Sequence, residues 1–333
     1  MQVFIISFSS CVALILLMHR LAHHLGILDF PGGHKQHEHP TPMVGGLAMF
    51  IAVLAALLVG DALHGNVAIL LGCAAVLVVL GVLDDNHGLS VSLRMMIQVF
   101  LVSVVIVGAG GTVTHLGGGL GIDIPLGMFA IPFSVVAFVG GINAINMIDG
   151  ADGMAGKMAL ITTLGVATIF YVAGAAELLP LTWALLGALV GFLLLNSRLF
   201  VKRAWVFMGD AGSMWLGLVL GWFMAQLTQG SVSAEPALVL WLFGIPLIDT
   251  LVVMARRMKR KLSPFAADRT HIHHVLEHAG LSVRRTVLIL SLVQLVLVGI
   301  GVSFYLTDAP SFVVFWSFAL LMAAYYYQLR NYK

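Results

Sequence analysis

Acidic and amide side chains are concentrated at the ends of apolar segments in this 333-residue chain. The stretch GGINAINMIDGADGMAG, residues 140–156, closes an apolar run with two asparagines and two aspartates. GVLDDNHG ends an earlier apolar run, and VFMGDAGSM begins a later one. Ionisable groups at such positions are costly to bury and indicate function. The residues concerned are Asp84, Asp85, Asn143, Asn146, Asp149, Asp152 and Asp210.

Several carboxylates at one membrane depth would repel each other unless a cation joined them. Mg²⁺ meets that need, because it typically takes one or two carboxylates plus substrate phosphates. Two simpler interpretations stay open: Asp84 and Asp85 could form a solvated helix end, and Asp210 could cap the following helix. Asp149 and Asp152 have the i, i+3 spacing of one helical face, although the glycines around them predict that the helix has ended.

Two basic segments that contain histidine lie outside the apolar runs. The first, GHKQHEHPTPMVGG, includes Lys35 and His37, and its prolines and glycines predict an irregular path. The second, residues 255–284, begins with basic residues that indicate anchoring at the membrane surface. It continues to HIHH, where zinc is the weaker interpretation and charge-assisted hydrogen bonds to phosphate are favoured. The candidate phosphate ligands there are Arg269, His271, His273 and His274.

Composition predicts that these segments belong to a polytopic membrane protein. Hydrophobic residues make up 60% of the chain and charged residues only 10%, with a mean hydropathy of +1.03. Soluble domains carry about 25% charged residues, so an ordinary soluble protein is excluded. The two cysteines lie in apolar runs and form no disulfide framework. At roughly 20 apolar residues per spanning helix, we predict eleven spans, at about 3–19, 44–62, 67–83, 92–110, 126–146, 157–175, 180–196, 211–228, 236–254, 285–306 and 311–328.

The distribution of basic residues predicts the orientation. With residue 1 outside, all 17 lysines and arginines fall in inner segments, as the positive-inside rule requires. We therefore expect a periplasmic N-terminus, a cytoplasmic C-terminus and a first span that is retained rather than cleaved. Residues 110–127 are predicted to form a small periplasmic hairpin. The whole chain, 1–333, is expected to be one all-α transmembrane domain, with active-site loops on the cytoplasmic face at about 20–43, 84–91, 147–156, 197–210 and 255–284.

A cluster of acids ringed by cationic loops at a membrane surface indicates a phosphate-rich substrate that meets a lipid. Phosphoryl transfer depends on cations that stabilise dispersed negative charge and on a nucleophile held in line. An ion-coupled transporter is the weaker alternative, because the acids lie at one end of the spans and no inverted repeat is apparent. A non-catalytic scaffold would leave the acids unexplained.

Five motifs, in order along the chain, resemble those of the polyprenyl-phosphate N-acetylhexosamine-1-phosphate transferases. They are HPTPMVGG, GVLDDNHG with Arg94 beyond it, NAINMIDGADGMAG, FMGDAGS and SPFAADRTHIHH. The last is similar to the WecA-type branch, which has eleven spans, rather than to the MraY type. The resemblance implies transfer of N-acetylglucosamine 1-phosphate from UDP-N-acetylglucosamine to undecaprenyl phosphate, with release of UMP and a need for Mg²⁺ or Mn²⁺. Such a reaction starts O-antigen, enterobacterial common-antigen or other surface-polysaccharide synthesis at the bacterial inner membrane.

The resemblance also implies roles for the residues around the acceptor phosphate. Asp210 would be the principal metal ligand, with Asn146 beside it. Asp84 and Asp85 would lie near the acceptor phosphate, acting either as a base or in positioning. Arg94 would contact the diphosphate of the donor.

A second set of roles concerns the nucleotide. By the same resemblance, Phe207 would stack on uracil, Asp152 would hydrogen-bond to it, and Asp149 would support that pocket. His34 stands where the family usually has an arginine, which puts a phosphate role of that position in doubt. The implied ligands of the sugar-nucleotide phosphates are Arg269, His271, His273, His274, Lys35 and His37.

The expected partners are undecaprenyl phosphate, UDP-N-acetylglucosamine and the lipid bilayer, and the resemblance is compatible with a homodimer. No nucleic-acid partner is expected. Nothing in the sequence specifies the sugar, so UDP-N-acetylgalactosamine, an N-acetylfucosamine donor or transfer of phospho-N-acetylmuramoyl-pentapeptide stays open. Direct displacement and a two-step route through a covalent aspartyl phosphate also both stay open.

Overall fold

The computed structural model describes residues 1–25, 28–29, 40–263 and 270–330, which form a bundle of α-helices. Two-residue strands, β1 (Leu28–Asp29) and β2 (Thr41–Pro42), pair antiparallel between the first two helices. Short 3₁₀ turns at Gly127–Phe129 and Ala176–Leu178 lead into α5 and α7. The helices are α1 (Gln2–Leu25), α2 (Gly45–Val59), α3 (Gly65–His87), α4 (Val91–Gly108), α5 (Ala130–Ile148), α6 (Met154–Val172), α7 (Leu179–Asn196), α8 (Gly209–Gln229), α9 (Leu238–Leu242), α10 (Gly244–Lys259), α11 (Ile272–His278), α12 (Val283–Leu306) and α13 (Ser311–Leu329).

Nine helical segments in the described part of the chain are long and apolar enough to cross a membrane. They coincide with nine of the eleven predicted spans. The second predicted span forms α2, which has only 15 residues, and the ninth is divided between α9 and α10. The prediction of an all-α polytopic membrane protein is confirmed.

The break between α9 and α10 is stabilised by polar side chains from neighbouring helices. Gln294 on α12 accepts a hydrogen bond from the backbone N–H of Ile245 at 2.8 Å and donates to the Leu242 carbonyl at 3.0 Å. Thr162 on α6 donates to the same carbonyl at 2.9 Å. A membrane helix tolerates such an interruption only where protein groups satisfy the freed backbone, and Gln294 and Thr162 do so here.

Helix α8 is the centre of the bundle. Almost all of its residues are buried, whereas only a small share of the residues of α1 and α13 are. Small residues let two helices approach its N-terminal end closely: a Cβ at Gly46 would lie 2.2 Å from the Gly212 Cα, and one at Gly81 would lie 2.2 Å from the Ala211 nitrogen. The N-terminal end of α2 and the C-terminal end of α3 are therefore held against the start of α8, where Asp210 lies.

The chain reverses direction between α4 and α5, as predicted for residues 110–127. The backbone N–H of Leu116 donates to the Ile124 carbonyl at 2.9 Å, and that of Leu126 donates to Thr114 at 2.8 Å. Gln229, at the end of α8, accepts a hydrogen bond from the Thr114 N–H at 3.0 Å. The hairpin is thus attached to the end of α8 opposite the one that carries Asp210.

Candidate active site

Asp85, on the last turn of α3, caps the N-terminus of α8. Both oxygens of its carboxylate accept a hydrogen bond from the backbone N–H of Asp210, at 3.0 and 3.1 Å. Gly209 permits this approach, because its φ is +70° and a Cβ there would lie 2.5 Å from Asp85 Oδ2. The interpretation of Asp210 as a helix cap is wrong, since Asp210 lies inside α8 and the capping carboxylate comes from Asp85 on another helix, while the residue before α8, Met208, makes no side-chain capping bond. The Asp210 carboxylate is left for other contacts.

Arg94, on the first turn of α4, lies between two of the acids. Its Nη1 donates to Asp84 Oδ2 and, at 3.2 Å, to Asp210 Oδ2. The Asp84 side chain is 6% exposed, and its second oxygen accepts a hydrogen bond from the Leu89 N–H at 2.7 Å. The Asp210 side chain keeps 29% of its surface exposed. Of the two acids that Arg94 joins, Asp210 is therefore the one that is open to a ligand.

The two asparagines of α5 have separate roles. The amide nitrogen of Asn146 donates to Asp210 Oδ1 at 2.8 Å and to Ser213 Oγ at 2.9 Å. Because that nitrogen makes both bonds, the amide oxygen is the atom left for a cation. Asn143, one turn earlier, donates to Gln98 Oε1 at 2.8 Å and so joins α5 to α4. Asn146 belongs to the acid cluster, whereas Asn143 stabilises helix packing.

Asp149 and Asp152 follow α5 and have different electrostatic environments. Burial raises the pKa of Asp149 to about 8, and the negative charges of Asp210, Asp85 and Asp152 raise it further in the same direction. Asp152 instead accepts a hydrogen bond from Arg198 Nε at 2.6 Å. Asp149 thus shares the field of the acid cluster, and Asp152 is paired with a cation from the segment after α7.

Replacement of Asp149 by Asn should stabilise the folded protein at pH 8, with a smaller gain at pH 5. The folded-state pKa lies above the value of about 4 in an unfolded chain, so between these values the folded protein holds a proton that the unfolded chain releases. The stability of the wild type therefore falls as the pH rises from about 4 towards 8. Thermal unfolding midpoints of both proteins in detergent at the two pH values measure the effect.

A matched variant tests the cause of this pH dependence. Asp149→Glu keeps a carboxyl group and should retain the wild-type loss of stability with rising pH. A gain for Asp149→Asn that is equal at both pH values would contradict the assignment.

The histidines of HIHH lie in different surroundings. His271 is buried, and its Nδ1 lies 2.8 Å from Asp249 Oδ2. His273 is buried against the loop after α5, where a Cβ at Gly150 would lie 2.4 Å from His273 Nε2. The His274 ring is half-buried, with its centroid 4.1 Å from that of His273. Gly150 is therefore needed so that the histidine segment can reach the loop that carries the site acids.

The side chain of His273 makes no hydrogen bond to the rest of the described chain. Neither of its ring nitrogens has a hydrogen-bond partner among those residues, although both are buried. Burial, followed by the charge of neighbouring His274, lowers the pKa of His273 to about 3. Its ring is therefore neutral near pH 7.

The segment before α8 is attached to the connection between α1 and α2. The N–H of half-buried Phe207 donates to the Pro42 carbonyl at 2.8 Å, and its own carbonyl accepts from the Gly45 N–H at 2.9 Å. On the paired strand, Asp29 lies close enough to Asp85 for their charges to repel each other. Phe207 is thereby held two positions from the start of α8.

Three predicted substrate ligands lie outside the described residues: Lys35, His37 and Arg269.

The donor set at the start of α8 fits a hard divalent cation. The carboxylate of Asp210 and the amide of Asn146 meet there, with Asp84 and Asp85 adjacent. Oxygen atoms are the ligands that Mg²⁺ and Mn²⁺ prefer. Within the ranges that the structure describes, no three histidine, cysteine or acidic side chains are arranged to hold a metal ion by themselves.

Three charged residues of this region are not singled out by the sequence motifs: Asp29, Arg198 and Asp249. Asp249 has the clearest signal, because an ionisable residue inside an apolar segment is itself an indication of function. The pairing of Arg198 with Asp152 joins positions 46 residues apart, and no local pattern indicates it. These contacts depend on the tertiary structure.

Comparison with known proteins gives a family model and a set of curated relatives. Residues 67–228, which include Asp84 and Asp210, match the model described as glycosyl transferase family 4. The chain is 33% identical to an undecaprenyl-phosphate alpha-N-acetylglucosaminyl 1-phosphate transferase of Yersinia pestis, over 96% of this chain and 88% of that protein. The proteins of the same name from Escherichia coli K12 and Haemophilus influenzae are 32% and 31% identical. These matches cover 94% and 98% of this chain, and 86% and 93% of those proteins.

Proposed function

Because the chain belongs to the family of the undecaprenyl-phosphate alpha-N-acetylglucosaminyl 1-phosphate transferases, we propose that it transfers N-acetylglucosamine 1-phosphate from UDP-N-acetylglucosamine to undecaprenyl phosphate. The products are undecaprenyl-diphospho-N-acetylglucosamine and UMP. The reaction would be the first step of O-antigen, common-antigen or related surface-polysaccharide synthesis. The names of the relatives support N-acetylglucosamine over the other sugars that the sequence leaves open.

One observation carries this proposal most directly. Helices α3, α4, α5 and α8 bring Asp84, Asp85, Arg94, Asn146 and Asp210 together at the ends of apolar segments. A phosphoryl-transfer enzyme needs such a mixture of oxygen ligands and a guanidinium, because its transition state disperses negative charge over several oxygens. The position at the helix ends lets a lipid phosphate and a water-soluble nucleotide reach the same site.

Mg²⁺, or Mn²⁺, is the proposed cofactor, with Asp210 and Asn146 as its protein ligands. When bound there, the ion would neutralise charge on the phosphoryl oxygens during transfer. The partial exposure of the Asp210 side chain and its direct bond to Asn146 support this choice. Arg94 contacts Asp210 from the opposite side and would contribute the second positive charge, towards the diphosphate of the donor.

Direct displacement is the proposed route. An oxygen of the lipid phosphate attacks the β-phosphorus of the UDP-sugar, and a new P–O bond forms. The bond from that phosphorus to the bridging oxygen breaks, and UMP leaves with its electron pair. A phosphate monoester has a second pKa of about 6, so much of the acceptor is already dianionic at neutral pH and needs no strong base.

The contacts of Asp84 and Asp85 support positioning rather than covalent catalysis. The Asp85 carboxylate is held by the N-terminus of α8, and that of Asp84 by Arg94 and the Leu89 amide. A nucleophile must be free to approach phosphorus, and both carboxylates are engaged. Isolation of a phosphorylated enzyme intermediate would support the two-step route instead.

The nucleotide is proposed to lie beside the acid cluster. Phe207 would stack on uracil and Asp152 would hydrogen-bond to it, with Asp149 supporting the pocket. The attachment of Phe207 to Pro42 and Gly45, close to the start of α8, supports this arrangement. The other proposed ligands of the nucleotide-sugar, grouped around its phosphates, are Arg269, His271, His273, His274, Lys35 and His37.

The membrane arrangement is proposed to consist of eleven crossings in one transferase domain, with α2 and the broken pair α9–α10 as the two shorter ones. The N-terminus would be periplasmic and the C-terminus cytoplasmic, in the bacterial inner membrane. Confinement of all 17 basic residues to one set of segments supports an active site on the cytoplasmic face. A homodimer stays a prediction.

Purified protein in detergent or nanodiscs should release UMP when it receives undecaprenyl phosphate, Mg²⁺ and UDP-N-acetylglucosamine. The same assay with UDP-N-acetylgalactosamine, UDP-N-acetylfucosamine and UDP-N-acetylmuramoyl-pentapeptide should give much slower release. EDTA should abolish the reaction, and added Mg²⁺ or Mn²⁺ should restore it, because charge neutralisation at the phosphoryl group would be lost and regained.

The same assay in sealed vesicles tests the orientation of the protein in the membrane. Inside-out vesicles should use externally added UDP-N-acetylglucosamine, whereas right-side-out vesicles should not. Absence of UMP release with every sugar would refute the enzyme assignment. Full activity in EDTA would refute the metal, and equal activity in the two vesicle types would refute a cytoplasmic site.

A further inference from the structure

Asp249 is a buried acid in the middle of α10 whose contacts all come from hydrogen-bond donors. It is 2% exposed. Its Oδ2 lies 2.8 Å from His271 Nδ1, and its Oδ1 accepts from the Ile272 N–H at 3.0 Å and from the Tyr325 hydroxyl at 2.8 Å. A buried carboxylate is tolerated only when its oxygens are satisfied in this way. Three elements, α10, α11 and α13, therefore meet at this one side chain.

Arg256 makes a second contact from α10 to the same segment. Its Nη1 donates to the Thr270 carbonyl at 3.4 Å. Asp249 and Arg256 are seven residues apart, so they lie on one face of the helix, two turns from each other. Together they hold three consecutive residues, Thr270, His271 and Ile272, through the carbonyl, the ring and the backbone amide.

The bonds at Asp249 determine which nitrogen of His271 carries a proton. An ionised carboxylate only accepts hydrogen bonds, so Nδ1 of His271 must be the donor in this contact. Among the described residues, the hydrogen bonds of the His271 ring are made at Nδ1 alone. The partner at one ring nitrogen sets the tautomer and orients the other nitrogen, and here that other nitrogen is Nε2.

The held segment leads directly to the loop of the acid cluster. The His271 and His273 rings are nearly parallel, with centroids 6.1 Å apart, and His273 Nε2 approaches Gly150 closely. His273 is neutral near pH 7, and its ring packs against that loop. His271 is the ring of this pair whose orientation is fixed by a side-chain hydrogen bond, which leaves Nε2 for a ligand.

We propose that Asp249 is a positioning residue for the donor substrate: it accepts the His271 Nδ1–H and so orients Nε2 to accept a hydrogen bond from a hydroxyl group of the UDP-sugar. In this tautomer Nε2 has a lone pair and no proton, so it suits a hydroxyl donor rather than the anionic phosphates. The inference rests on the proposed function, and it adds a residue from the broken span that carries none of the recognised motifs. Asp249 acts through His271 and does not contact substrate. It also explains why the apolar first half of α10 contains a buried acid.

Asp249→Asn should raise the KM for UDP-N-acetylglucosamine, with a smaller effect on kcat. The substituted amide would offer an N–H to Nδ1, which favours the opposite tautomer of His271. We expect an increase of about 10- to 100-fold, the scale observed when carboxylates that orient metal-bound histidines are removed. Tyr325→Phe removes a hydrogen bond from the same carboxylate without changing the His271 tautomer, and its KM should stay close to that of the wild type.

The ratio of the two kinetic constants separates positioning from loss of folding. A partly unfolded variant contains less active enzyme, so its apparent kcat falls while its KM is unchanged. In a His271→Gln background, Asp249→Asn should add little further effect, because the residue that it orients is absent. An unchanged KM for Asp249→Asn, or an equal rise for Tyr325→Phe, would overturn the proposal.

A spectroscopic measurement on the wild type does not depend on the folding of Asp249→Asn or on activity. In protein labelled with ¹⁵N-histidine, the resonances that disappear in His271→Gln belong to His271. They should show Nδ1 protonated. A deprotonated Nδ1 would overturn the proposed role of Asp249 even if UMP release is robust. A protonated Nδ1 in a protein that releases no UMP would refute the transferase function but leave the His271–Asp249 contact established.

Discussion

Asp210→Asn should lower the rate of UMP release by about 10³-fold or more, the scale expected when a main stabiliser of transition-state charge is removed. Asp210 is the acid at which α3, α4, α5 and α8 meet: Asn146 holds one carboxylate oxygen and Arg94 the other. The amide would retain the size of the side chain but would lose the negative charge that a divalent cation requires. The steady-state rate at saturating Mg²⁺ and UDP-N-acetylglucosamine measures the effect.

Binding and stability measurements identify the cause of that loss. Calorimetric titration with UDP-N-acetylglucosamine should show that Mg²⁺ strengthens binding in the wild type and has little effect in Asp210→Asn. Asp123→Asn is a suitable control, because Asp123 lies in the hairpin at the opposite end of the bundle, where its exposed carboxylate is 3.6 Å from His115 Nδ1. It should keep normal activity. Full turnover by correctly folded Asp210→Asn would refute the metal assignment.

Gly81→Ala should impair both stability and activity, although Gly81 is not part of the proposed site. A Cβ at this position would lie 2.2 Å from the Ala211 nitrogen and 2.5 Å from the Asp210 carbonyl carbon, and neither backbone atom can move away independently. Overpacking of this kind costs about 1–3 kcal/mol, and occasionally more. A displacement of about 1 Å at a reacting group can cost about 100-fold in rate, so we expect a loss of that order.

The same helix provides the control for this prediction. Gly72 also lies on α3, but it is exposed and a Cβ there would meet nothing within 4 Å. Gly72→Ala should therefore leave the unfolding midpoint and the rate of UMP release nearly unchanged. If the two alanine variants behave alike, the close approach of α3 to α8 does not determine the geometry of the acids.

The chemistry of the site can be predicted from the sequence because it depends on residue types at helix ends. Asp84, Asp85 and Asp210 are recognisable as a set, since an apolar chain has few reasons to carry carboxylates where spans end. The spans can be predicted from the hydropathy of the sequence, and even α2 and the α9–α10 pair are detected as apolar segments. The break at Phe243 is not detected, because the contacts that compensate it come from Gln294 and Thr162 on other helices.

The distribution of roles within the cluster depends on contacts between distant positions. Asp85 and Asp210 are 125 residues apart, and only their contact shows that Asp85 caps α8 and releases the Asp210 carboxylate. Asn143 and Asn146 are the same residue type and lie on adjacent turns of α5. Only their hydrogen-bond partners distinguish them: Asn143 contacts Gln98 on α4 and has a packing role, whereas Asn146 contacts Asp210 on α8 and has the proposed ligand role.

The sequence by itself determined the class of protein and the family, and it predicted the chemical type of the candidate site. Hydropathy, charge placement and local motifs are properties of the linear chain, and these conclusions depend on nothing else. Only the tertiary structure decided which side chain satisfies which partner: Arg94 between Asp84 and Asp210, Arg198 on Asp152, and Asp249 on His271. A buried polar group must find its partner wherever packing places one, and that place is set by the approach of whole helices rather than by spacing along the chain.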